Sequence, residues 1–143
     1  MPYQDIEDSR MYRRAERLAD AIWNAVIDWS SFARETVGQQ LTRAVDSISA
    51  NIAESAGRFH PRDVINFLYY ARGSMREARY WLRRARQRNL ITDQFMNEQA
   101  SELDTLGAEL NSYINFQRNR AKESSSEYDV PSTDNEPASQ LAN

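Results

Sequence analysis

The chain has 143 residues, 18 of them basic and 21 acidic, giving a formal charge of −3, and 41% of its residues are hydrophobic. One domain of ordinary size fits that length. Without a single cysteine, disulfide staples, thiolate metal sites and a cysteine nucleophile are excluded.

The charge is unevenly placed. Residues 123–143 hold Glu123, Glu127, Asp129, Asp134 and Glu136 and no Lys or Arg. Residues 1–122 keep 16 acids against 18 bases, a body of +2. The start, Met1-Pro2-Tyr3-Gln4-Asp5, lacks the apolar run of a secretory signal. No stretch approaches the roughly 18 apolar residues of a membrane span. A soluble cytoplasmic protein is the expectation.

Only Pro61 interrupts the body, so the chain reads as all-α. The first predicted helix covers about 5–29. Met11, Ala15, Leu18, Ile22, Ala25 and Trp29 recur at steps of three and four and share a face. Ser30 and Ser31 can cap a second helix, because a side-chain oxygen accepts from an orphan N–H. Glu35 in its first turn suits the dipole. That helix turns Val37, Leu41, Val45, Ile48 and Ile52 inward and stops at Gly57.

Pro61 opens the third helix, where its missing N–H costs nothing. Val64, Leu68, Ala71, Met75, Ala78, Leu82 and Ala85 form the cleanest heptad of the chain. Asn89 can end it in a left-handed conformation. Thr92 can cap the fourth helix, with Phe95, Leu103, Leu106, Leu110 and Ile114 inward and a fading pattern near Arg120. Short links make neighbours antiparallel, so an up-down-up-down four-helix bundle is expected over 1–122. Residues 123–143 read as a disordered acidic tail.

Arg72, Arg76, Arg79, Arg83 and Arg86 follow each other at steps of four and three on the third helix. They form a guanidinium row one residue out of phase with the apolar stripe. Arg84 and Arg88 flank it, and Glu77 is the only acid from 72 to 88. Like charges so placed repel by a few tenths of a kcal/mol per pair, so something offsets them. Phosphate is one candidate, since arginine offers it a planar fork of donors. Glu98, Glu102 and Glu109 of the fourth helix, a neighbouring subunit and the acidic tail are the others. The alternative to all of these is a solvated helix face.

Basic residues number 17 Arg and one Lys, Lys122. Tyr69, Tyr70, Tyr80 and Trp81 stand among the arginines, where they serve either as core and interface or as stacking surfaces for bases. Trp23, Trp29, Tyr69 and Trp81 exceed what one seam per helix buries. They mark either the bundle boundary or a partner helix.

A second constellation is Ser47, Asn51, Glu54 and Arg58 on one side of the end of helix two. Glu54 and Arg58 stand at i and i+4 in the favourable order for an ion pair. A polar seam that fixes helix register is one reading, and a ligand site the other.

The run Ser47-Ile48-x-x-Asn51-Ile52-Ala53-Glu54-x-x-Gly57-Arg58 precedes Phe67-Leu68-Tyr69-x-Ala71-Arg72-Gly73-Ser74-x-x-Glu77. Together with Gln40-Leu41-Thr42-Arg43-Ala44, these segments resemble a small bacterial four-helix-bundle family that includes proteins encoded in intervening sequences of 23S ribosomal RNA genes. The resemblance covers about 3–120. Ser55 departs from it, standing where the family usually has Gly. The resemblance implies an antiparallel bundle, commonly a homopentamer, with no enzyme activity. A related branch comprises accessory variability proteins of diversity-generating retroelements, which bind nucleic acid and a reverse transcriptase through basic surfaces. Ala78-Arg79-Tyr80-Trp81-Leu82-Arg83-Arg84-Ala85 is compatible with that branch.

His60 is the only histidine, so the paired Glu-x-x-His motifs of di-iron bundles are absent. No Gly-rich phosphate loop and no Ser-His-Asp set occurs. No catalytic residue, metal or cofactor is therefore expected. Two functions compete: nucleic-acid binding through Arg72, Arg76, Arg79, Arg83, Arg84, Arg86 and Arg88, on structured RNA or an RNA–DNA hybrid; and a protein-interaction scaffold in which those arginines pair within or between subunits.

Overall fold

The computed structural model describes residues 5–128. A 3-10 turn, Ile6–Asp8, leads into helix α1, Arg10–Val26. The second helix begins as a single turn, Ser31–Ala33, passes through a π-helical stretch, Arg34–Gly38, and continues as Gln39–Ala56; all of it is called α2. Helix α3 is Pro61–Gln87 and helix α4 is Asp93–Tyr128. Among the described residues there is no strand. Each helix packs against its chain neighbours, and α1 also meets α4, closing the ring of an antiparallel four-helix bundle.

Local chemistry explains each boundary. Ser9 caps α1, its Oγ accepting from the Tyr12 N–H at 3.1 Å. The extended backbone of Ser9 stops the helix from starting at Asp5. Ser30 caps α2 by accepting from the Ala33 N–H at 3.4 Å. Gly38, in the π-helical stretch, lets α1 and α2 approach. A Cβ there would lie 2.7 Å from Cγ1 of Val26. Gly57 follows the end of α2 at φ −83°, so its role as a stop needs no left-handed backbone. Ser55 is fully buried, and its hydroxyl donates to the Ile52 carbonyl at 2.6 Å. The departure from the resembling pattern there leaves the helix regular.

Pro61 is the first residue of α3. At the other end Asn89 takes φ 59°. The Leu90 N–H reaches back to the Ala85 carbonyl at 2.9 Å, and the Asn89 N–H to that of Arg86 at 3.1 Å. This is a Schellman ending, with Leu90 as its apolar closing contact. Thr92 caps α4 by accepting from the Phe95 N–H at 3.1 Å.

The whole α3 heptad, Val64 to Ala85, is buried. So are the five inward residues expected of α2, and Leu103, Leu106, Leu110 and Ile114 of α4. Helix α1 departs from expectation: Val26 and Ala19 enter the core, while Ala25 and Trp29 are half-buried. A straight helix drifts about 20° per heptad, which carries the stripe past Ala25. Helix α4 runs through Tyr128 instead of fading near Arg120. No Gly or Pro stands between Gly107 and Pro131, and the Ser124 and Ser125 hydroxyls donate to the carbonyls of Arg120 and Ala121. The first six residues of the expected tail are thus helical, and 129–143 lie outside the described residues. No described helix is long and apolar enough to cross a membrane.

Candidate nucleic-acid interface

The arginine row forms one rim of a groove between α3 and α4 of about 1280 Å³. Arg72, Arg76, Arg79 and Arg83 line it from α3, together with Tyr69 and Tyr80. At about 1.5 Å per residue, Arg72 and Arg83 stand about 16 Å apart along the axis. Met75, Met96, Leu103, Gly107 and Ala108 lie along the groove, with Asp104 and Asn111 on the α4 side. Arg84, Arg86 and Arg88 do not line it. Arg84 donates to Oε1 of Gln87 at 2.7 Å, and Arg88 is exposed beside the helix end.

Two members of the row meet carboxylates. Arg79 pairs with Asp104 at 2.7 Å, and Arg86 pairs with Asp93. Both aspartates are largely exposed, at 73% and 77%, so water screens these pairs and they hold the arginines only weakly. The hydrogen bond to Arg86, then its charge, hold the Asp93 carboxyl below its ordinary value. Arg72 lies over the Tyr69 ring at 4.7 Å and Arg83 over the Tyr80 ring at 5.6 Å. Arg76 is exposed with no such partner. Among the described residues, three of the five guanidiniums therefore face solvent without a carboxylate.

The acids expected to meet the row do something else. Glu102 and Glu109 both accept from Arg14 of α1, at 2.7 and 2.5 Å. Glu98 accepts from Gln94 at 3.1 Å. These side chains tie α1 to α4 or brace α4 itself, and leave the row to Asp104 and Asp93.

The four aromatics divide between two flanks of α3. Tyr69 and Tyr80 belong to the groove. Tyr70 instead meets Phe67 edge-on at 5.5 Å, and Trp81 donates to Glu77 at 3.4 Å. Arg118 of α4, which does not line the groove, touches its Tyr69, a contact that sequence reasoning missed. It donates to the Tyr69 hydroxyl and lies 5.5 Å from the ring centroid. In an antiparallel pair, each step up α3 is matched by a step down α4, and that pairing is the signal that places Arg118 beside Tyr69.

The second constellation is satisfied internally. Asn51 donates to the Ser47 carbonyl at 2.8 Å, and Arg58 pairs with Glu54 at 2.6 Å. Arg58 also lies 4.4 Å from the Phe67 ring centroid, stapling the end of α2 to α3. Among the described residues no three His, Asp or Glu side chains cluster to hold a metal.

No curated protein matches the chain. Among solved structures, the chain is similar to a protein of unknown function from the S23 ribosomal protein family of Bacteroides thetaiotaomicron. The two are 24% identical over 73% of this chain and 97% of that one, with a TM-score of 0.65, a likeness of fold. The model of one family, the 23S rRNA-intervening sequence protein, matches residues 7–112. With the bundle, the motif residues and most of its length accounted for by that match, the chain belongs to the 23S rRNA-intervening sequence protein family.

Proposed function

We propose that this chain is a non-enzymatic, oligomeric protein that binds nucleic acid through the α3 groove. One observation carries the reading: Arg72, Arg76 and Arg83 stand in a row about 16 Å long with no carboxylate among the described residues to neutralise them. Phosphate supplies the missing charge, and guanidinium forks fit it. RNA, structured or in a hybrid with DNA, is the partner to which family membership points.

A second copy of the chain fits the apolar side chains near the α1–α2 junction. Trp23, Ile27 and Phe32 are 56%, 51% and 80% exposed near the α1–α2 junction. Apolar side chains so exposed favour a protein partner. A pentamer would repeat the arginine row around an axis and multiply its field. Within that reading, service to the reverse transcriptase of a diversity-generating retroelement is the finer possibility, and an adjacent reverse-transcriptase gene with a template repeat is its check.

The rival scaffold reading has its own observation, the Arg79–Asp104 and Arg86–Asp93 pairs. Gel shift across a salt series, on RNA and DNA, separates the two. Binding through three phosphates gives a log–log slope of about −2 to −3 per protomer, at about −0.7 per contact on a single strand and about −0.9 on a duplex. Arg76→Glu with Arg83→Glu abolishes that binding and leaves light scattering unchanged. A flat salt response, or a double variant that binds normally but falls apart into smaller particles, selects the scaffold.

A further inference from the structure

We infer that the α3–α4 groove is built for a single strand, its bases turned to the groove floor and its phosphates to the arginine rim. The inference rests on the nucleic-acid reading above and narrows it to unpaired strand, such as the unpaired segments of a structured RNA, excluding the hybrid duplex.

The floor is the first reason. Met75 and Leu103 are buried and close the floor, while the partly exposed Met96 and the exposed Ala108 supply its accessible apolar surface. Gly107 and Ala108 add no polar group. A phosphodiester backbone gains nothing from such a surface. An unstacked base does, because its faces are apolar and poorly served by water. In a duplex those faces are already covered by neighbouring pairs.

The rims supply the rest. Tyr80 is 45% exposed and stands at the groove beside Arg83, an aromatic surface open to a base. The row is one file of cations, and one strand presents one file of phosphates. A duplex laid on the row would carry its second strand over α4. There Asp93 and Asp104 are more than two-thirds exposed, and Glu98 is exposed as well. Between Asp93 and Gln117, α4 carries no Lys or Arg to meet a second phosphate file, and Asp93 and Asp104 are already paired with arginines of the row. Two glycines keep the groove open. A Cβ on Gly73 would meet nothing within 4 Å, and one on Gly107 would stand 3.4 Å from Cε of Met75.

The test is fluorescence anisotropy on the full chain with one labelled oligonucleotide, free or annealed to its complement, as RNA and as DNA, across a salt series. The expected result is single-strand binding at least tenfold tighter than duplex binding. Tyr80→Ala lowers single-strand affinity about tenfold, in line with the stacking contribution of one base, and Tyr80→Phe restores it. Ala108→Leu fills the groove without changing charge and lowers single-strand affinity by a similar factor. Both positions are exposed, so neither variant threatens the fold, and circular dichroism verifies that. Equal or tighter duplex binding with a steep salt slope overturns the single-strand inference and leaves the nucleic-acid reading standing. So does single-strand binding that ignores both Tyr80→Ala and Ala108→Leu. Failure of both strand forms to bind at low salt overturns both readings.

Discussion

Asp104 on α4 holds the guanidinium of Arg79 on α3 at 2.7 Å while remaining 73% exposed itself. The contact places one anion at the mouth of the groove and occupies one of the four arginines that line it. Asp104→Asn removes the anion and frees the cation. Affinity for a polyanion should rise about fivefold at low salt, since one charge at contact distance in water is worth about 1 kcal/mol. Loss of the exposed pair should cost stability less than about 1 kcal/mol. Anisotropy and thermal melts measure the two effects. Unchanged or weaker binding in the variant would argue that polyanions do not use this groove.

Arg14 carries a different load. Its Nε and Nη1 serve Glu109 and Glu102, and only 21% of its side chain is exposed. Arg14→Ala leaves two carboxylates of α4, two turns apart at the α1–α4 seam, with no cation between them. Both charged hydrogen bonds are lost, but Glu102 and Glu109 are 43% and 24% exposed, so solvent screening discounts the pair and a loss of about 2 kcal/mol in total is expected on urea denaturation. Arg14→Ala with Glu102→Gln and Glu109→Gln should recover part of that loss, because the unpaired charge is gone.

How much of this was legible in the sequence depends on whether one helix or two decide the matter. The burial of Val64 through Ala85, the left-handed Asn89 and the Thr92 cap are set within a few residues. Periodicity and cap chemistry sufficed for them. The ownership of Glu102 and Glu109 is set by which face of α4 meets α1, and no spacing within α4 reveals that. The π-helical stretch at Arg34–Gly38 coincides with the close approach of Gly38 to Val26, which belongs to another helix. Trp29 read as core because its step was right, yet the helix ended at Val26 and left the ring half-buried. The row itself was legible as a row. Its division into paired, ring-covered and free members was not, because Asp93, Asp104 and Arg118 approach it from α4.

Two helical glycines should respond to alanine with opposite signs. Gly73 is exposed, and an added Cβ meets nothing within 4 Å. Gly73→Ala should stabilise the protein by about 1 kcal/mol, the difference in helix propensity. Gly38 is buried, and its Cβ would stand 2.7 Å from Val26 Cγ1 and 3.2 Å from the Ala33 carbonyl oxygen. Gly38→Ala should destabilise by about 1–3 kcal/mol through overpacking. Denaturant midpoints compare the two directly. A destabilised Gly73→Ala would mean that the open face of α3 is covered in the assembled protein.

Asp46 of α2 gives the stability a definite pH dependence. Desolvation first, and then the Asp20 carboxylate of α1, hold its carboxyl above the ordinary 3.8. The folded protein therefore keeps this proton at pH values where the unfolded chain has released it. Stability from this group is fully present below about pH 3.8 and is lost as pH rises through the raised folded value. Asp46→Asn removes the ionisation and keeps the shape. The variant should melt higher than the parent at about pH 7, and the difference should vanish by about pH 3, where both side chains are neutral. Asp20→Asn should give a smaller gain of the same sign, since it removes only the second cause. A variant that is stabilised equally at both pH values would place the effect in packing and not in the carboxylate.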